Sequence, residues 1–83
     1  VNLDYVELSA GTAIVRTILP PSAVGPLDEV DLWNRYGVKI VAVLRQNQWQ
    51  PVLQDIELTE GDQVQIYGSA RQVEKFARLA PRP

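Results

Sequence analysis

The chain has 83 residues, 46% of them apolar and 22% charged, with a formal net charge of −2 and neither histidine nor cysteine. That suffices for one small domain, whose core buries only about 60% of the unfolded surface, so further burial against a partner or a larger parent protein is expected. Slight acidity argues against nucleic acid as the main ligand, and the two missing residue types exclude disulfides, thiol nucleophiles, imidazole bases and zinc sites built on Cys or His.

The lack of Cys fits a reducing compartment such as the cytoplasm. No apolar run approaches the roughly 20 residues of a membrane span, and no signal-peptide pattern opens the chain. Methionine is absent and the chain starts at Val1, which reads as initiator removal or as a segment of a longer protein.

In chain order, Leu3 to Leu8 reads as a short strand, with residues 1–12 a linker or edge strand and Ser9-Ala10-Gly11 a turn. Ala13 to Leu19 alternates loosely and is rich in β-branched residues, predicting a second strand that Pro20-Pro21-Ser22 stops. Gly25-Pro26 then opens a helical stretch, with Pro26 suited to the first helical position and Leu27 and Val30 facing the core at i, i+3. Asp28 and Glu29 sit where negative charge complements the helix dipole. Asp31 is placed to cap a second turn, Leu32 to Tyr36, which Gly37 ends.

Val38 to Leu44 is the clearest strand. Gln46-Asn47-Gln48 turns back into Trp49 to Leu53, where Pro51 marks an edge or a bulge. Leu58 to Asp62 makes another turn, and Gln63 to Tyr67 a half-exposed strand with Val64 and Ile66 inward. Ser69-Ala70-Arg71-Gln72 fits the S-x-x-Q capping box, and the helix after it sets Val73, Phe76, Ala77 and Ala80 on one face and Arg71, Lys75 and Arg78 on another, with Glu74 and Arg78 spaced to pair. Pro81 ends it, leaving 81–83 as a tail. The order is β-β-α-β-β-β-α: an α+β domain over residues 13–80, one sheet with helices on one face.

With these landmarks the chain resembles the TrkA-C or RCK-C domains, the C-terminal lobe of regulators of potassium conductance. The likeness is carried by Gly25-Pro26-Leu27, the run from Leu32 through Tyr36-Gly37-Val38, Ile40-Val41-Ala42-Val43-Leu44-Arg45, Pro51, Asp55-Ile56-Glu57-Leu58, Gly61-Asp62, Val64 to Tyr67, Gly68, and Val73 to Leu79. Pro26 stands where the family commonly has Lys, and Gln63 and Gln65 are more polar than its usual Leu or Val. The resemblance implies a cytoplasmic regulatory module carried by, or bound to, potassium channels, transporters, cation–proton antiporters and some anion permeases. It implies pairing into dimers and, in parts of the family, a dimer cleft that binds a regulatory ligand such as cyclic di-AMP. The Gly-rich dinucleotide-binding loop that normally precedes this lobe does not occur in these residues.

The strand Val38 to Leu44 poses the functional question. Its even positions, Val38, Ile40, Ala42 and Leu44, are expected in the core. Its odd positions give a second apolar strip, Val41 and Val43, between Lys39 and Arg45. Burying each valine contributes about 1.5–3 kcal/mol, so the strip is expected to be a dimer interface. Lys39, Val41, Val43, Arg45, Asn47 and Pro51 then form the candidate ligand seat in the dimer cleft: guanidinium suits phosphate oxygens and an apolar strip suits a flat base. The alternatives are a loop of the same chain over the valines, solvated cations, and turn chemistry for Asn47 and Pro51.

The carboxylates Asp28, Glu29 and Asp31, and Glu57, Glu60 and Asp62, are explained by caps, dipole and turns. They lack the spacing of a calcium loop, and no nucleophile or base accompanies them. No catalytic residue, metal site or obligate cofactor is assigned, and a small carboxylate hydrolase is the least supported reading. The leading expectation is a dimerising, ligand-sensing regulatory domain of a potassium or other monovalent cation channel, transporter or antiporter. It would lie at the inner face of the membrane through its parent, without nucleic acid and without inserting. The alternative is a structural assembly module that has no ligand.

Overall fold

The computed structural model describes residues 5–53 and 55–81. Leu3 and Asp4 of the first expected strand, and Arg82 and Pro83 of the tail, lie outside the described residues. The fold is α+β, as expected from the sequence, and its strands pair antiparallel. β1 (Tyr5–Glu7), β2 (Thr12–Ile18), β3 (Gly25–Pro26), α1 (Leu27–Val30), α2 (Leu32–Tyr36), β4 (Val38–Arg45), β5 (Gln48–Pro51), β6 (Glu57–Leu58), β7 (Gln63–Ser69) and α3 (Ala70–Arg78) follow in chain order. The main sheet has the order β1-β2-β7-β4-β5, and every neighbouring pair is antiparallel. Gly25-Pro26, expected at the opening of a helix, instead pairs with Glu57–Leu58 as a separate two-stranded ribbon.

All three helices cover the same face of the main sheet. Val30 of α1, Leu32 of α2 and Val73 and Phe76 of α3 join Val15, Val38, Val43, Val64 and Ile66 in one buried cluster. The amphipathic spacing of α3 does this directly, and Ser69 Oγ accepts the Gln72 amide at 3.2 Å, as the capping-box reading requires. α1 and α2 are separated by Asp31, whose backbone is left-handed (φ 57°); its carboxylate takes the Asn34 amide instead of capping the backbone, which corrects its expected role. Gly37 ends α2 with φ 72°, its amide donating to Trp33 O.

The decisive departure from simple alternation lies in β4. Val38, Lys39 and Ile40 face Gly68, Tyr67 and Ile66 of β7, but Ala42 rather than Val41 faces Gln65, and Val43 faces Val64. One extra residue, Val41, is inserted as a β-bulge, and every side chain after it changes face. On its other side β4 runs in unbroken register with the edge strand β5 from Ala42–Pro51 to Arg45–Gln48, and the Val52 amide donates to Val41 O at 3.0 Å. Val38, Ile40 and Val43 therefore share the helix-covered face, while Lys39, Ala42 and Leu44 share the other. The expectation that Val38, Ile40, Ala42 and Leu44 form one inward row is corrected on this point.

β7 crosses close to the end of α2. A Cβ at the buried Gly68 would lie 2.8 Å from the carbonyl oxygen of Gly37, a contact with backbone that cannot swing aside. The other end of the sheet is tied by Asp62. Its carboxylate accepts from Arg45 Nη2 at 2.6 Å and from the Thr59 amide at 2.9 Å; its carbonyl accepts the Leu19 amide at 2.8 Å, and the same Arg45 nitrogen also donates to Glu57 O. One residue thus joins the ends of β2, β4 and β6. Partial burial alone would push the Asp62 carboxyl up; the Arg45 and Thr59 hydrogen bonds and the Arg45 charge outweigh it and hold the group below its ordinary range.

Gly68→Ala is expected to destabilise the domain by about 1–3 kcal/mol through this overpacking, read from urea denaturation with an unchanged m-value. Because Asp62 is depressed in the folded state, its stabilisation is complete above the unfolded carboxyl value and fades as pH falls through the folded one. The difference in urea midpoint between wild type and Asp62→Asn should therefore hold steady near neutrality and shrink once pH drops below about 4.

Candidate functional site

The sheet's outer face, away from the helices, is the surface the fold leaves open. Strand register places Ile14, Tyr67 and Lys39 in one row across it, Arg16, Gln65, Ala42 and Pro51 in the next, and Ile18, Gln63, Leu44 and Trp49 in a third. Val6 of β1 extends the first row at Ile14. Val6 is 53% exposed, Ile18 39% and the bulge residue Val41 37%, large apolar fractions for a monomer to leave wet. Over the middle of this face the Arg16 guanidinium lies 4.5 Å from the Trp49 ring centroid, a cation–π contact reaching from β2 towards the edge strand β5.

The expected site residues are not gathered in one place. Lys39 is on the outer face and exposed, with Val41 partly exposed at the bulge and Pro51 exposed on the edge strand beside Ala42. Val43 lies on the helix side, 3% exposed, inside the core of a single chain. The bulge removes it from any surface, so its expected outward position at a dimer interface is corrected. Arg45 follows Val43 onto the helix side, where Asp62 and the Glu57 carbonyl hold its guanidinium. It does not stand beside Lys39. Asn47 has φ 63° and Gln46 φ 54°: both central residues of the two-residue β4–β5 loop are left-handed, the geometry of a primed hairpin turn, which Asn tolerates. Turn chemistry accounts for Asn47.

Residues that were not expected in the site supply most of the outer face instead: Ile14, Ile18, Leu44, Trp49, Tyr67 and Arg16. Their signal lay in β2, which carries apolar residues at both parities just as β4 does. Its Ala13, Val15 and Thr17 face Gly68, Ile66 and Val64, and its Ile14 and Ile18 face Tyr67 and Gln63. Among the described residues no cluster of His, Cys, Asp or Glu is arranged to hold a metal ion, and no helix is long and apolar enough to cross a membrane.

Comparison with known proteins places this architecture. No curated protein matches the chain. Among solved structures, one titled as the crystal structure of the GsuK RCK domain superposes with a TM-score of 0.67 at 27% identity. The match covers 86% of this chain and 16% of that one, so the chain spans a small part of the length of that protein. A family model, that of the TrkA-C domain, matches residues 17–80, which take in β3 to β7, all three helices and the end of β2. The chain belongs to the TrkA-C domain family.

Proposed function

We propose that this domain is the cytoplasmic regulatory lobe of a potassium, or other monovalent cation, channel, transporter or antiporter, and that it works as a homodimer joined through the outer face of its sheet. Membership of the family supports the regulatory role, since TrkA-C and RCK domains generally serve potassium transport systems as non-catalytic regulators. One observation carries the dimer: the helices all pack on one side, and the other side presents Val6, Ile14, Ile18, Val41 and Leu44 with the Arg16–Trp49 pair. Burying that face removes apolar area from water at about 25 cal/mol per Å². A dimer of this kind is able to regulate, because a ligand seated between the copies shifts the balance between two arrangements by its difference in affinity for them.

The ligand seat that accords with the register is narrower than the six residues expected from the sequence. It consists of Lys39, Val41 and Pro51, repeated by the second copy, with cyclic di-AMP as the ligand class suggested by the family. Arg45 falls outside it because Asp62 already holds its charge. The same observation favours a second reading, a purely structural assembly module, since one lysine per copy is a sparse clamp for two phosphates.

Sedimentation analysis should show a two-chain species for the wild type. Ile14→Glu or Leu44→Glu, which place a carboxylate in the proposed contact, are expected to weaken it by about a hundredfold while preserving the circular dichroism spectrum. Dimers that persist in both variants exclude this face. Calorimetry with cyclic di-AMP is expected to give heat with wild type and much less with Lys39→Ala. Intact dimers with no heat would leave the assembly reading standing.

A further inference from the structure

On the helix side, away from the proposed dimer face, a groove of about 330 Å³ runs between α2 and α3, lined by Arg35, Tyr36, Gln72, Lys75, Phe76, Arg78 and Leu79. Its lining holds three cations and no carboxylate, in a chain whose acidic residues outnumber its basic ones by 10 to 8. Arg35 is held in position: Nη1 donates to Val30 O at 3.3 Å, Nη2 donates to Tyr36 Oη at 3.1 Å, and the guanidinium carbon lies 5.1 Å from the Tyr36 ring centroid. Tyr36 is fixed in turn, its hydroxyl donating to Ser22 Oγ at 2.8 Å and its ring meeting Phe76 edge-on at 5.1 Å. Among the described residues Arg35 and Lys75 meet no carboxylate within ion-pair distance, and Arg78 reaches only Glu74 at 3.9 Å, both side chains largely exposed. The wall beneath the cations is apolar, with Phe76 buried and Leu79 exposed at the lip.

Basic residues near helix C-termini offset the backbone dipole, and that accounts for charge at these positions. It requires neither a guanidinium locked by a tyrosine nor an aromatic wall under it. A cationic rim over an apolar wall suits an anion attached to a hydrophobic body, and the small volume points to a small molecule rather than a macromolecular segment.

We infer that the groove between α2 and α3 binds a small phosphate monoester carrying an apolar or aromatic group, with Arg35, Lys75 and Arg78 facing the phosphoryl oxygens and Tyr36 and Leu79 contacting the body over the buried Phe76. The site stands independently of the dimer and its cleft. Phenyl phosphate is the probe, with inorganic phosphate and phenol separating charge from apolar contact, titrated into the 15N-labelled 83-residue chain at low salt. The amide signals of Gln72, Lys75 and Leu79 should shift saturably with phenyl phosphate and much less with either fragment. Lys75→Gln and Arg78→Gln, both exposed and outside the core, should each weaken binding by about fivefold, and the double variant more. Glu60→Gln, in an exposed turn outside both proposed sites, should leave it unchanged. The inference is overturned by absent shifts, by undiminished binding in the double variant, or by inorganic phosphate binding as tightly as the ester. Shifts centred on Lys39 and Val41 would likewise overturn it, placing the anion in the proposed dimer cleft.

Discussion

The extra residue at Val41 governs the arrangement of the sheet. Without it, β4 would alternate from Val38 to Arg45, Val43 would point away from the helices, and Ala42 and Leu44 would press against them. The bulge lets one strand serve the core twice, first through Val38 and Ile40 and then, after a change of phase, through Val43. Only the pairing with β7 is shifted: towards β5 the strand keeps its register, and the Val52 amide donates to the Val41 carbonyl as the next rung of that ladder.

That change of phase carries Arg45 with it. The guanidinium lands beside Asp62 and the Glu57 carbonyl, where it closes the end of the sheet over the loop that leads into β7. A cation placed by alternation in a cleft is thereby a structural member of the single chain. The cations outside this tie include Lys39 and Arg16 on the open face, and the Arg35, Lys75 and Arg78 group between the helices. The open face itself is mainly hydrophobic and shape-bearing, with the Arg16–Trp49 contact lying across its centre.

Much of this was legible from residue order. The three helical segments, the inward Val64 and Ile66, the serine cap of α3 and the left-handed glycine after α2 all follow from local chemistry that tertiary contacts do not override. The β3–β6 ribbon was not legible, because Gly25-Pro26 satisfies the rules for opening a helix as well as those for a short extended segment, and its partner Glu57–Leu58 is over thirty residues away. The bulge was half visible. Apolar residues at both parities of β4 announced that something other than plain alternation was at work, and Pro51 marked the place. Yet a strip with two greasy sides and a strip with a shifted phase have the same composition, and only the register against β7 separates them. The outer face was missed for the same reason, since Ile14 and Ile18 acquire meaning only when β2 is laid beside β7.

The edges of the sheet bear on how far assembly is able to go. Among the described residues, one margin is β1, three residues long, and the other is β5, four residues ending in a proline. Neither offers a long row of unpaired amides and carbonyls, so lateral strand addition finds little to template on. The pairing proposed through the flat of the sheet would be self-complementary, each copy presenting the same patch to the other. On the proposed pairing, assembly closes at two copies, because the contact that joins them is then unavailable to a further chain.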